Sequence, residues 1–157
     1  MPQVDFYLLE ESAHQAEQHF VCRLVAQLYR NKQSVYLHVE DPQHAERIDH
    51  LLWSFRADAF IPHEIIPQED APQTAPPQEK KPVYSPVLIS YAPDTSHQAD
   101  VLINLAEEIP AFYARFARLA EIVPSNEDKR ALLRKHYRFY KNQDCELKTH
   151  NISAPAQ

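Results

Sequence analysis

Apolar residues along this chain fall into short continuous runs that alternate with longer stretches in which they recur every three or four positions. VDFYLL (4–9) mixes aromatic and branched residues and suits a buried strand. Ser12 and Gln15 have the spacing of a capping box. They precede a stretch in which Ala16, Phe20, Leu24 and Leu28 share one helical face, which predicts a helix of about five turns. SVYLHV (34–39) predicts a second strand. In EDP (40–42), Asp41 is placed to cap a helix with Pro42 at its first position, and Ala45, Ile48, Leu51, Leu52 and Phe55 supply the apolar face. PVLISY (86–91) and VLINL (101–105) predict two further strands, joined by the turn-rich APDTSHQAD. A helix is expected over 110–119, carrying Phe112, Phe116 and Leu119, and then a short strand EIV (121–123). A last helix should start near Ser125 or Asn126, hold Glu127 and Asp128 in its positive first turn, and run to about Lys141.

Strands that alternate with helices imply a mainly parallel sheet with helices on both faces, a doubly wound α/β domain spanning 1–145. The pattern leaves strand order open. Between Pro62 and Pro86 there are seven prolines in twenty-five residues, so a long irregular loop is expected over about 64–85, with the pyrrolidine rings working against ladder pairing. Residues 146–157 read as a flexible tail. At 157 residues the chain can bury a core without disulfide staples. Cys22 lies in a helical pattern and Cys145 in a polar segment, which makes no disulfide framework, and no charged-then-apolar leader opens the sequence, so a cytoplasmic protein is expected. No apolar run approaches the ~20 residues of a membrane span.

Glycine is absent from the whole chain. Phosphate-binding loops need glycine for tight turns and close backbone approach, so neither common nucleotide loop can be written here and no cofactor is expected. Left-handed turns must fall to Asn and Asp. Metal binding and nucleophilic catalysis find no support either. His14 and His19 are five apart, His44 and His50 six, with no cysteine pair nearby, and neither cysteine has a visible base. Nothing resembles a catalytic constellation.

Charge divides the chain unevenly. Residues 1–128 hold nine basic and twenty acidic side chains, net −11, whereas 129–157 hold seven and two, net +5. On a helical wheel Arg130, Arg134, Tyr137, Arg138 and Lys141 share one sector, and Leu132, Leu133, His136, Phe139 and Tyr140 collect opposite. A merely solvated face would mix signs to form i,i+4 pairs, and here no acid occurs between Asp128 and Asp144. A nucleic-acid site could use the cations on phosphates and Tyr137 for stacking, but the acidic remainder would repel a long polyanion. A short acidic peptide with an apolar anchor fits the ridge better. LLWSFRADAFIPHE (51–64) is the other dense stretch: Leu51, Leu52 and Phe55 suffice for the inward face of the second helix. Trp53 and Phe60 are then available for a second, apolar interface.

Taken in order, FYLL, LLW followed seven residues later by F-x-P-H, LINL, P-x-F-x-x-x-F at 110–116, and EIVP running into R-x-x-x-R-x-x-Y-R-x-Y resemble the chi subunit family of bacterial DNA polymerase III holoenzyme, over roughly residues 4–142. The resemblance implies a non-catalytic replisome adaptor with a Rossmann-like sheet that binds no nucleotide. It implies two partners: the psi subunit of the clamp loader, and the acidic C-terminal tail of the single-stranded-DNA-binding protein, with DNA reached only indirectly. By the same resemblance Val123, Arg130, Arg134, Tyr137, Arg138 and Lys141 match the tail-binding surface, and Trp53, Phe60, Pro62 and His63 match the psi interface. The alternative from another class is a single-stranded nucleic-acid-binding module using the same basic helix.

Overall fold

A computed structural model describes residues 2–9, 14–54, 61–65, 86–91, 99–123 and 127–152. In chain order the elements are β1 (Gln3–Leu9), α1 (His14–Arg30), β2 (Val35–His38), α2 (Pro42–Ser54), β3 (His63–Ile65), β4 (Val87–Ser90), β5 (Val101–Asn104), β6 (Arg118–Val123), α3 (Glu127–Asn142) and β7 (Glu146–Ile152). All strand pairs are parallel, in the order β3-β4-β2-β5-β6-β1-β7. The chain starts at β1, crosses to β2, and later fills the gap between them with β5 and β6.

Each strand feeds both faces of the sheet, because side chains alternate along it. Val35, Leu37, Val87, Ile89, Val101, Ile103, Ala120 and Ile122 form one apolar layer with Val21, Val25 and Leu28 of α1 and Ala45, Ile48 and Leu52 of α2. The opposite face gathers Val4, Phe6, Tyr36, Leu88, Leu102 and Leu119 under Tyr140 of α3 and the rings of Phe112 and Phe116. Burial on both faces explains why β2, β4 and β5 read as unbroken apolar runs. The cap expected at Asp41 is present: its Oδ1 accepts from the His44 amide at 2.8 Å.

Three expectations change. Residues 110–119 do not form a helix; there is only a single tight turn at Tyr113–Arg115, after which Phe116 is extended (φ −105°, ψ 137°). Phe112 and Phe116 reach the sheet from that turn, their rings 5.5 and 5.6 Å from that of Tyr36, and residues from Arg118 onward are taken by the ladder with β1. The strand expected at 121–123 is therefore twice as long. His63–Ile65, placed in the proline-rich loop, pairs with β4 as the edge strand β3; Pro62 stands just before it, where its missing N–H removes no ladder bond. Residues 146–152, read as part of a flexible tail, form β7 along β1. A half-exposed edge strand needs little apolar sequence, since the backbone ladder to Gln3–Leu9 and the stacking of His150 on Tyr7 (4.9 Å, 19°) hold it. Ser12, Phe55, the rest of the proline-rich loop, residues 92–98 and the start of the last helix lie outside the described residues.

Without glycine, the left-handed residues among those described are Lys32 (φ 61°) and Asp144 (φ 60°). Each closes a helix. After α1 the Gln33 amide bonds Leu28 O at 2.9 Å and the Lys32 amide bonds Tyr29 O at 3.0 Å; after α3 the Cys145 amide bonds Tyr140 O and the Asp144 amide bonds Lys141 O, both at 3.1 Å. These are paired 6→1 and 5→2 bonds, which place the left-handed residue by register rather than by residue type. Aspartate fits the expectation; lysine does not, since it carries a Cβ penalty without the compensating short polar side chain.

At the carboxyl ends of the strands a buried polar row crosses the second face: Ser90, His38, Asn104 and Glu121 stand in register on neighbouring strands. Helix α3 is tied to this row. The Glu121 carboxylate accepts from Tyr140 OH at 2.7 Å and from the Asn104 amide at 3.0 Å, and meets His136 Nδ1 at 3.0 Å, while His136 Nε2 lies 2.9 Å from Glu107 O. Burial disfavours charge on His136, yet the Glu121 hydrogen bond and charge, together with the Glu107 carbonyl, outweigh it and raise its pKa. Burial first, and then Glu121, push the Tyr140 hydroxyl far above the ordinary tyrosine range, so it remains a donor.

Two outcomes follow from this architecture. Lys32→Gly removes the Cβ penalty at φ 61° and, after the entropic cost of glycine, should stabilise the fold by up to about 1 kcal/mol in urea denaturation. For His136, a raised folded-state pKa means that the contribution of its charged form is complete below about pH 6.5 and declines as pH rises through the folded value. The stability difference between wild type and His136→Gln should accordingly shrink between about pH 6 and pH 8; a difference that grows over that interval would reverse the assignment.

Candidate protein-docking surfaces

Helix α3 has acids in its first turn and Lys141 in its last, both favourable to the helix dipole. Its inward face is carried by His136 and Tyr140, with Leu132 and Leu133 half-buried beside them. Phe139, expected in the apolar seat, is 39 % exposed. The Leu133–His136–Tyr140 stripe already fills the seat, and Phe139 sits at its margin with its ring edge-on to Tyr113 at 5.4 Å.

The outward face carries the expected cations. Arg134, Arg138 and Lys141 are exposed, and among the described residues no carboxylate pairs with them. Tyr137 is 40 % exposed, with its ring seated 5.5 Å from that of Phe6 on β1. That contact seats its ring against the sheet, on the helix that also carries the exposed cations. Arg130 differs from the rest: half-buried, it donates from Nη2 to Leu9 O at 3.3 Å, which satisfies the carboxyl end of β1. Val123 ends β6 almost fully buried and lines a small cavity of about 30 Å³ with Leu132, Leu133 and His136. The six residues of the basic surface therefore split into an exposed cluster of Arg134, Tyr137, Arg138 and Lys141 and two supporting positions, Val123 and Arg130.

On the opposite face of the sheet, α2 ends with Trp53 at 55 % exposure, the most exposed large apolar side chain described. Beneath it lies His63 of β3, the two rings 4.9 Å apart. The His63 imidazole is turned inward, Nδ1 2.6 Å from Ile61 O and Nε2 3.1 Å from Asp49 Oδ1, so it props the indole and does not itself face solvent. Pro62 is half-buried at the start of the same edge strand, and Phe60 lies outside the described residues. The sheet separates the exposed cations of α3 from Trp53 at the end of α2.

The sequence pattern missed the carboxylate that anchors the basic helix. Glu121 was visible only as an acid inside a short apolar strand, and His136 with Tyr140 only as i,i+4 members of an apolar stripe. Burial pushes the Cys22 thiol up to about 11, and burial of His38, which outweighs the attraction of Glu40 and Glu121, lowers its pKa and favours the neutral ring. Among the described residues no group of three or more His, Cys, Asp and Glu side chains could hold a metal, and no helix is long and apolar enough to cross a membrane.

Comparison with known proteins places this geometry. The family model described as DNA polymerase III chi subunit, HolC, matches residues 1–148. DNA polymerase III subunit chi of Pseudomonas aeruginosa is 34 % identical over 152 residues, covering 97 % of this chain and 98 % of its own. The subunits chi of Haemophilus influenzae and Escherichia coli are 28 % and 27 % identical, over 94 % and 95 % of this chain and 95 % and 97 % of theirs. Among solved structures, T4 UvsW superposes with a TM-score of 0.60 at 6 % identity, covering 96 % of this chain and 41 % of its own, a likeness of fold alone. Matched along nearly its whole length by a family model and by full-length relatives, the chain belongs to the DNA polymerase III chi subunit family.

Proposed function

We propose that this chain is a non-catalytic adaptor of the polymerase holoenzyme, joining the psi subunit of the clamp loader to the acidic C-terminal tail of the single-stranded-DNA-binding protein. The observation that carries the reading is the exposed set Arg134, Tyr137, Arg138 and Lys141, uncompensated by acids among the described residues, on a helix fixed from beneath by Glu121. Guanidinium groups suit carboxylates in paired hydrogen bonds, and Tyr137 held against Phe6 gives an apolar terminal residue a firm wall. Arg130 serves by keeping the helix start against β1, and Val123 by closing the floor.

Trp53 on the other face is the anchor proposed for psi, with His63 underneath; Pro62 and Phe60 are proposed for the same interface on the family resemblance. A large half-exposed indole on a packed support is the kind of side chain that dominates interface energies. With one partner held on each side of the sheet, the adaptor acts by tethering. Tail contacts that are individually weak gain effective concentration where many copies of the DNA-binding protein coat a strand, and clamp loading stays near DNA that the adaptor itself does not touch. On this reading the protein works in the cytoplasm, at the replisome.

In calorimetry with the tail peptide, Arg134→Ala should weaken binding by about 1.5–3 kcal/mol through loss of a charge-assisted bond, and wild-type affinity should fall with added salt. Unchanged affinity in the variant would reject the ridge, and sub-micromolar binding of a bare labelled oligonucleotide by the same helix would favour a direct nucleic-acid-binding module. Trp53→Ala should abolish co-purification of psi while leaving the peptide isotherm intact; loss of both would indicate unfolding instead of a local anchor.

A further inference from the structure

Strand β7 ends the sheet, and among the described residues no strand lies beyond it. All seven of its residues, Glu146–Ile152, are in register with β1. A strand paired on one side only presents a row of backbone N–H and C=O groups on the other. Register also fixes where its side chains go. Lys148, His150 and Ile152 fall on the face of Asp5, Tyr7 and Leu9, towards α1, whereas Leu147, Thr149 and Asn151 fall on the face of Val4, Phe6 and Leu8, towards α3.

On the α1 side a groove of about 520 Å³ runs beside this edge, with His150 and Ile152 on its strand wall and Arg23, Gln27 and Arg30 on its helix wall at i, i+4 and i+7. Arg23 and Arg30 are exposed and, among the described residues, have no carboxylate partner. Lys148, exposed on the edge itself, adds a third cation to that side. Of the described acids on that face of β1 and β7, buried Asp5 is engaged by Arg118 Nη2 at 3.5 Å and His150 Nε2 at 3.1 Å, which leaves Glu146 at the start of the strand. Charge near this edge is therefore positive where the backbone can still pair.

We propose that β7 accepts a further strand from a partner protein: an extended acidic segment, internal to the partner's chain, whose backbone continues the ladder and whose acids, at alternate positions, face Arg23 and Arg30. The two arginine positions are about 10 Å apart along α1, a span bracketed by same-face acids two and four positions apart in a strand, about 7 and 13 Å. A docked helix would leave the backbone row of β7 unsatisfied, and a nucleic acid has no peptide ladder to offer it. A second copy of this chain fits worse, because joining two β7 edges antiparallel sets the cations of both copies on one face of the enlarged sheet. Nothing in this pairing needs a terminal carboxylate, so it is separate from the tail contact proposed for α3.

The test is an amide-shift titration of the intact chain with a heptapeptide, acetylated and amidated at its ends, that carries glutamate at alternate positions between threonine and valine. The peptide should shift amides within 23–30 and 146–152 and slow hydrogen exchange at alternate amides of β7. Arg23→Gln with Arg30→Gln, both on an exposed helix face, should weaken it about tenfold or more while leaving the affinity of the tail peptide for α3 unchanged. Of the two alternately N-methylated forms of the heptapeptide, one should lose binding and the other keep it, because only one set of its amides faces β7. No shifts within 146–152, unchanged exchange there, equal binding by the two methylated forms, or affinity undiminished by the arginine pair would overturn the proposal. So would concentration-dependent shifts of 146–152 without peptide, which assign the edge to a second copy, or displacement of the peptide by a thymidine oligonucleotide at the same amides, which assigns it to a single strand.

Discussion

One buried carboxylate sets the position of the basic helix. Glu121 stands near the end of β6, where a charge would be costly to bury unpaired, and its oxygens are met by His136, Tyr140 and Asn104. Two of these partners belong to α3, so the helix cannot rotate or slide without leaving the carboxylate unsatisfied. That restraint is directional in a way that apolar packing is not. It determines which side of α3 faces outward, and hence that Arg134, Arg138 and Lys141 share solvent with the edge of Tyr137.

The same sheet separates two surfaces of different chemistry. Alternation along β5 and β6 sends Asn104 and Glu121 towards α3, while Ile103 and Ala120 face the layer beneath α1 and α2. The Trp53 surface lies at the β3 edge beside α2, and the cations of α3 lie over the opposite face. An acidic protein can hold a basic ridge because it is local: Arg134, Arg138 and Lys141 share a helix stripe with no acid between Asp128 and Asp144, and the acids elsewhere keep the rest of the surface unattractive to anions. A chain without glycine reaches this fold by using Lys32 and Asp144 where helix closure demands a left-handed residue.

Local pattern announced most of the architecture. The periodicity around Phe20, Leu24 and Leu28, the Asp41–Pro42 start and the apolar runs of β2, β4 and β5 each depend on residues within a few positions of one another, and each appears where the spacing places it. Where reading failed, the signal was local and the decision was not. Phe112 and Phe116 have helical spacing, but the ladder with β1 claims the residues that such a helix would need. His150 and its neighbours look like a tail because an edge strand is polar on one side, and only the presence of β1 and Asp5 makes the segment a strand.

What the sequence alone determined, then, is the alternation of helices and strands, the absence of a glycine phosphate loop, the concentration of cations on the last helix and the kinship with the chi subunit family. Tertiary structure decided the strand order, the engagement of Arg130 with Leu9, the inward turn of His63, the anchoring of α3 on Glu121 and the pairing of β7 with β1. The physical reason is range: side-chain period and capping are properties of neighbours along the chain, whereas burial of a charge and pairing of a strand edge depend on residues more than a hundred positions away, as Asp5 with His150 does.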